Sequence, residues 1–217
     1  MSMNFGREQA LLRQRLTESG TPERGAEQQA RYGDGVKCLG ASDDEVRAAA
    51  DDLLAQFPSM GRAQTTAFVR TLWGSKTHEL RGVGAQILAQ RADLLEAPDL
   101  GFVEGLLTDV HDEAMRTSLA AEVLGVLVQN NKKLWKELQR LAETDDARLQ
   151  MAAVRAAKGP CSVDAGVFDR FAKLAAPLLE RGDSALLDAI DEVLAAATAQ
   201  AADAVQACAA EHGRELS

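Results

Sequence analysis

The sequence is poor in the residues that build β-sheets. It contains 14 Val and 2 Ile against 39 Ala and 28 Leu, and aromatic residues make up only 4% of its 217 positions. Ala and Leu lose little entropy in a helix, whereas β-branched and aromatic residues favour strands. The composition therefore predicts an all-α protein and argues against a fold built on sheets.

Cysteine is also scarce. Cys38, Cys161 and Cys208 are far apart and odd in number, and no Cys-x-x-Cys pair occurs. This usage predicts reduced thiols in a cytoplasmic protein rather than a disulfide framework. Because Cys161 follows a Gly-Pro pair, we expect it to lie in a linker. No stretch approaches about 18 uninterrupted apolar residues, and residues 1–16 lack the apolar core of a signal peptide, so we expect no membrane contact.

The chain has few positively charged residues, and the sequence motifs of common catalytic sites are absent. The formal net charge is -9 and the pI about 4.9, although binding DNA requires Lys and Arg to neutralise phosphates. A net charge of -9 argues against a basic surface over the whole protein but is compatible with a local basic cleft. The spacings of metal ligands, phosphate loops and nucleophile elbows do not occur. We therefore predict no metal and no cofactor.

Start and stop signals divide the chain into about a dozen helices. Thr21-Pro22-Glu23 is a strong helix start, and Ser42-Asp43-Asp44-Glu45 has the form of a capping box. Pro177 should kink or split the helix that contains it. The predicted helices span residues 4–18, 21–32, 42–57, 62–73, 76–92, 98–107, 112–129, 132–142, 145–157, 163–181, 184–197 and 201–211.

The linkers between these helices are short, so consecutive helices must pack as antiparallel neighbours. Pairs of helices recur at roughly 35 to 40 residues, a period typical of solenoids. We predict one HEAT-like helical repeat domain over 1–217, an α-α superhelix, in preference to an irregular bundle. Trp73 and Trp135 should pack in its core, Tyr32 should lie between repeats or on the concave face, and His78 has no evident partner.

A series of short sequence motifs occurs along the chain in a characteristic order. They are Ala-Arg-Tyr at 30–32, Leu-Gly at 39–40, Arg-Thr-Leu-Trp at 70–73, Phe-Val-Glu-Gly-Leu at 102–106, Leu-Gly at 124–125, Leu-Gln-Met-Ala-Ala at 149–153 and Ala-Ile-Asp-Glu-Val-Leu at 189–194. Their order and spacing resemble the bacterial DNA alkylation repair proteins, the AlkD-like HEAT-repeat DNA glycosylases. The resemblance implies a helical repeat fold that releases positively charged N-alkylated bases from DNA.

The resemblance also implies a cleft in which a carboxylate stabilises the cationic sugar, aromatic rings contact the lesion, and an arginine grips phosphate. This chain differs at each of these places. The family's functional carboxylate falls on Arg116 or Thr117, its arginine on Met151, and a cleft tryptophan on Glu192. The first interpretation is therefore a non-catalytic scaffold that holds a protein or nucleic-acid partner on its concave face. The alternative is a DNA glycosylase that excises N-alkylated purines with rearranged cleft residues.

The chain offers one polar group near the family's catalytic position, His111-Asp112-Glu113. In a glycosylase, Asp112 or Glu113 would substitute for the missing carboxylate and His111 would act as a base or ligand. The simpler interpretation is a solvated helix start, where acidic residues favour the positive end of the dipole.

One region has a surplus of positive charge: residues 131–160 contain seven Lys or Arg against four Asp or Glu. It would serve as a strip that tracks phosphates, with Arg148 or Arg155 partly replacing the family's arginine. The simpler interpretation is a solvated surface with local ion pairs, such as Lys133 with Glu137. The candidate nucleic-acid contacts are Arg116, Lys132, Lys133, Arg148 and Arg155.

Overall fold

A computed structural model describes residues 3–180 and 183–214 of the protein. In these residues the regular structure is helical, and the sole strand-like feature is an isolated parallel bridge between Lys37 and Thr77. The prediction of an all-α fold is confirmed, and successive helices joined by short linkers are consistent with a helical repeat solenoid. None of the helices within the described ranges is long and apolar enough to cross a membrane.

The chain divides into two compact units, of which the first is Met1–Leu94. Its main packing contacts join α4 to α5, α3 to α5, and α1 to both α3 and α4, around buried side chains such as Phe68 and Leu80. The prediction of one repeat domain over 1–217 stays a prediction. The helices of this unit are α1 (Phe5–Ser19), α2 (Pro22–Tyr32), α3 (Asp43–Gln56), α4 (Arg62–Gly74) and α5 (His78–Gln90).

The helix starts of the first unit follow their sequence signals. Ser42 and Glu45 form both hydrogen bonds of the predicted capping box at α3. Thr21 caps α2 by accepting a hydrogen bond from the Arg24 backbone N–H at 3.3 Å. These caps satisfy backbone donors that a helix leaves unpaired at its first turn, and they depend only on local sequence. The predicted starts of these two helices are accordingly correct.

A buried carboxylate fixes the loop between α2 and α3. Glu79 on α5 is 1% exposed, and its Oε1 accepts hydrogen bonds from the backbone N–H of Leu39 at 2.8 Å and Gly40 at 2.7 Å. Gly40 has φ +82°, and a Cβ there would lie 2.2 Å from the carbonyl oxygen of Thr21. Glycine is therefore required where this loop meets the start of α2.

The second unit is Leu95–Ser217. A π-helical turn, Leu119–Leu124, joins α7 to α8 in one continuous helix, and α10 is the central element because α12, α8, α9 and the π turn all pack against it. The sequence predicts the continuous helix but not the π turn. The helices are α6 (Leu100–Asp109), α7 (Glu113–Ser118), α8 (Gly125–Asn130), α9 (Trp135–Ala142), α10 (Ala147–Val163), α11 (Phe168–Leu179) and α12 (Ser184–Glu211).

The predicted linker around Cys161 is wrong. Helix α10 continues through Pro160 to Val163, and Cys161 is only 1% exposed. Pro160 cannot donate to the carbonyl of Ala156, but the apolar face of α10 remains buried, and this packing outweighs the local helix-breaking tendency. Gly125 makes the close packing possible, because a Cβ there would lie 2.9 Å from the Ala156 oxygen. Burial raises the pKa of the Cys161 thiol to about 12.

The last two helices also differ in their bounds from the prediction. A 3-10 turn, Ala165–Val167, precedes α11, and α11 ends at Leu179, two residues after Pro177. The predicted end at Arg181 lies outside the described residues. Helix α12 replaces two predicted helices, although its backbone is non-helical at Ala201 (φ -140°, ψ 44°), where the second was expected to begin.

The two tryptophans occupy the positions expected of them. Trp73 on α4 and Trp135 at the start of α9 are both buried, so the prediction that they pack in the core is confirmed. Large aromatic side chains contribute strongly to burial in a chain that has few of them. Neither tryptophan is therefore exposed as a platform on which a base could stack.

Candidate functional site

The polar group at 111–113 forms the start of α7. His111 is exposed, whereas Asp112 is 9% exposed and caps the helix by accepting a hydrogen bond from the Met115 backbone N–H at 2.7 Å. An aspartate at this position satisfies an otherwise unpaired donor and meets the positive end of the helix dipole. One oxygen of Asp112 thus has a structural function.

Arg116 lies one turn further along α7 and points back to the end of α6. It is 6% exposed, its Nε donates to the carbonyl oxygen of Leu107 at 3.4 Å, and its Nη2 donates to the carbonyl oxygen of Val110. Carbonyls at the end of a helix lack intrahelical partners and carry partial negative charge, so a buried guanidinium stabilises them. Arg116 therefore joins the end of α6 to the start of α7.

The third nitrogen donor of Arg116, Nη1, binds a carboxylate oxygen of Glu113, whose side chain is about half exposed. The structure thus brings Asp112, Glu113 and Arg116 together at one corner, the α6–α7 corner. At that corner the two carboxylate candidates have partners within the chain, and so do all three nitrogens of the guanidinium. Little of Arg116 is left exposed for a phosphate.

The positive residues of α10 form a second group, which we call the α10 strip: Arg148, Arg155 and Lys158. Their spacing of seven and then three residues places them on one face of the helix, together with Met151. The intervening Ala152, Ala153, Ala156 and Ala157 are buried against the neighbouring helices. The strip therefore lies along the accessible side of the central helix of the second unit.

Most positive side chains between 131 and 160 are already paired with carboxylates. Arg148 binds Asp146 through Nε at 2.9 Å and Nη2 at 2.7 Å, and this pairing holds the pKa of the Asp146 carboxyl below its ordinary value. Lys132 binds Asp164 at 2.5 Å, which likewise lowers the pKa of Asp164. The surplus of charge seen in the sequence is thus largely neutralised on the surface.

Lys133 does not form the local ion pair expected of it. Glu137 instead binds Arg140 at 3.0 Å and Lys136 at 3.6 Å, so the prediction of a Lys133–Glu137 pair is wrong. Arg140 also reaches Glu104 on α6 at 2.7 Å, a contact that sequence spacing does not reveal. Lys133 is left exposed, without an ion pair among the described residues.

Arg155 stands apart from the other candidates. Its side chain is half-buried, its Nε is shielded from solvent without a hydrogen-bond partner, and no carboxylate in the described ranges lies within ion-pair distance of it. Lys158, one turn away, binds Glu192 of α12 at 2.9 Å. This hydrogen bond, with the nearby charges of Lys158 and Arg155, lowers the pKa of the Glu192 carboxyl.

Sequence reasoning missed an aromatic and basic cluster in the first unit. The rings of Tyr32 and His78 stack with their centroids 4.4 Å apart, and the Arg31 guanidinium lies 5.5 Å from the Tyr32 centroid. The stack forms because the backbone of Lys37 pairs with the chain on both sides of Thr77, accepting from the His78 N–H at 2.8 Å. Contacts between residues about 40 positions apart leave no signal in local spacing.

The described residues hold no group of three or more His, Cys, Asp or Glu side chains that could bind a metal ion. A cavity of about 120 Å³ lies between α1 and α3, lined by residues that include Glu8, Arg15 and Asp52. A more open cavity of about 450 Å³, within the volume range of typical ligand sites, lies along α1 and is lined by residues that include Gln9, Arg13 and Glu18. The predictions that the chain uses neither metal nor cofactor stay predictions.

Comparison with known proteins gives one family. The family model described as "DNA alkylation repair enzyme" matches residues 12–217, a range that begins within α1 and includes α2 to α12. Comparison with curated proteins gives no significant match.

Proposed function

The chain belongs to the DNA alkylation repair enzyme family, and we propose that within it this protein binds its partner without excising alkylated bases. DNA is the partner that family membership favours. The proposal keeps the helical scaffold of the family but separates binding from chemistry, which on any fold depends on the residues of the site.

The observation that carries this proposal is the environment of Arg116. Release of a base leaves positive charge on the sugar, and catalysis requires preorganised negative charge at that point. The family resemblance places the carboxylate at Arg116 or Thr117, and the Arg116 guanidinium is held there by the carbonyls of Leu107 and Val110 and by Glu113. A cation fixed in this way would oppose the charge that develops as the bond breaks.

The other two altered positions support the same conclusion. Met151, at the position assigned to a phosphate-gripping arginine, carries no charge and donates no hydrogen bond. Glu192, at the position assigned to a cleft tryptophan, cannot stack on a base and is bound to Lys158. The chain therefore lacks the phosphate contact and the ring contact in addition to the acid.

A base-release assay with separate measurement of binding tests this proposal. Duplex DNA that carries an N-alkylated purine is incubated with excess protein, and free base is measured against the spontaneous rate. We expect no release above that rate, even at protein concentrations at which the duplex is bound. Release that increases with protein concentration would overturn the proposal.

The second candidate, a glycosylase with rearranged cleft residues, is favoured by Asp112, which is nearly buried at the α6–α7 corner of a chain that matches the family over 12–217. Asp112→Asn is the variant that separates the two candidates, because asparagine caps a helix about as well as aspartate but carries no charge. If the wild type releases base and this variant folds normally without doing so, Asp112 is the substitute acid.

A further inference from the structure

The α10 strip contacts α12 through a group of three charged side chains, whose role in binding rests on the proposed function. Arg155 and Lys158 lie on one face of α10, and Glu192 reaches them from α12, one of the helices packed most extensively on α10. Two cations thus share one carboxylate. The group retains a net positive charge at an accessible surface of a chain whose total charge is -9.

Arg155 is the unusual member of this group. The other two cations of α10 are paired, Arg148 with Asp146 and Lys158 with Glu192. Arg155 is half-buried, with its Nε out of reach of solvent and unpaired, which is unfavourable because a partly buried cation loses hydration that nothing replaces. A planar guanidinium in this situation favours an anionic group that can bind its two Nη atoms at once.

Glu192 provides only part of that compensation. Its carboxylate binds Lys158 at 2.9 Å and acts on Arg155 through its charge, without a hydrogen bond to it. The Lys158 and Glu192 side chains are both about half exposed, so their ion pair is screened by water and is easily exchanged. An incoming anion therefore competes with Glu192 on nearly equal terms.

We infer that Arg155 and Lys158 form a binding site for phosphodiester groups of nucleic acid, and that Glu192 occupies this site as an internal competitor. Phosphate offers oxygens for both cations, whereas the single carboxylate hydrogen-bonds only one of them. On α10 the neighbours of these two cations are Met151 and buried alanines, whose side chains cannot form hydrogen bonds to the edge of a base. Binding here is thus independent of sequence and depends steeply on salt.

The test compares the affinities of four variants for a fluorescently labelled duplex over a range of salt concentrations. Arg155→Gln and Lys158→Gln should each weaken binding by about 5- to 10-fold and reduce the slope of log K against log salt by about 1. Glu192→Gln should tighten binding by about 3- to 10-fold, because the competing charge is gone. Glu143→Gln is the matched control: Glu143 is exposed, has no ion pair among the described residues, and its replacement changes the net charge equally.

The outcomes separate this inference from the proposed function. If the wild type binds but all four variants match it, the site is wrong and the proposed function stands. Equal tightening by Glu192→Gln and Glu143→Gln would show an effect of net charge alone and would also overturn the site. If neither the wild type nor Glu192→Gln binds at low salt, both ideas fail. Base release would overturn the proposed function and leave the phosphate site intact.

A separate arm distinguishes nucleic acid from free phosphate. Inorganic phosphate is titrated into the protein at constant ionic strength, and binding is followed by calorimetry. We expect no saturable binding at the concentrations at which the duplex saturates, because a duplex presents many phosphates along the α10 strip. Saturable binding of inorganic phosphate at those concentrations that is lost in Arg155→Gln would assign the site to free phosphate and overturn the inference.

Discussion

Two arginines of the second unit show how differently the same side chain is used at the α6–α7 corner and on the α10 strip. Arg116 is nearly buried, and each of its three nitrogens donates to an acceptor in its own chain. Arg155 is half-buried and has no hydrogen bond or ion pair among the described residues. The first arginine stabilises the fold, and the second is available to a partner. Burial and partners, rather than charge alone, therefore distinguish the cation held by its own chain from the cation that we propose for binding.

The largest expected effect is at Arg116. Arg116→Gln should lower the free energy of unfolding by about 3 kcal/mol, because it removes charged hydrogen bonds and leaves carbonyls at the end of α6 without partners. Urea denaturation of the purified variant measures the change. Arg47→Gln, at an exposed arginine paired with Asp44, should change stability by less than about 0.5 kcal/mol.

A small change in stability on replacing Arg116 would contradict the structural role that distinguishes it from Arg155. If Arg116→Gln and Arg47→Gln unfold at the same urea concentration, Arg116 does not stabilise the α6–α7 corner. Its contribution to binding would then be measured with the same duplex titrations as that of Arg155.

Replacement of Arg155 should not lower the free energy of unfolding, in contrast to replacement of Arg116. Arg155→Met replaces a partly buried, unpaired cation by an apolar side chain of similar length, so we expect stability to be unchanged or higher by up to about 1 kcal/mol. The same urea experiment applies, with binding to the duplex measured in parallel. A loss of 2 kcal/mol or more would show that Arg155 has a structural function like that of Arg116.

The smallest effect concerns pH and the Lys158–Glu192 ion pair. The pKa of Glu192 is lowered in the folded protein, so the pair contributes stability above the ordinary carboxyl value of 4.5, and that stability is lost as the pH falls through the lower folded pKa. Since both side chains are about half exposed, the contribution is below about 1 kcal/mol.

Comparison of the wild type with Glu192→Gln checks this. The two proteins should differ slightly in thermal stability at neutral pH and converge as the pH falls below 4.5. A difference that persists or increases in acid would mean that Glu192 acts through packing rather than through its charge.

Sequence reasoning succeeds for features that depend on residues close together in the chain. Helix starts at Thr21 and Ser42 follow from capping residues whose partners lie within three positions. The burial of Trp73 and of Trp135 follows from the spacing of apolar residues within the helix that carries each of them, α4 and α9. Features decided by neighbours along the chain are therefore accessible from the sequence, and they account for the fold class and most helix bounds.

The rest depends on contacts between helices. Cys161 lies inside α10 because packing on that helix outweighs the breaking tendency of Gly159 and Pro160. Sequence spacing placed Arg116 and Arg155 in one group of possible phosphate contacts, since both are positive residues near altered cleft positions. Only the carbonyls of α6 and the carboxylate of α12 distinguish them, and these come from elsewhere in the chain.

The most direct test of the account is a single-turnover base-release measurement on duplex DNA with one N-alkylated purine, under salt conditions in which fluorescence anisotropy shows the duplex to be bound. The account predicts that bound DNA loses its alkylated base no faster than free DNA. Faster release by the wild type, with loss of that release in Asp112→Asn, would contradict it and identify the chain as a glycosylase with a relocated acid.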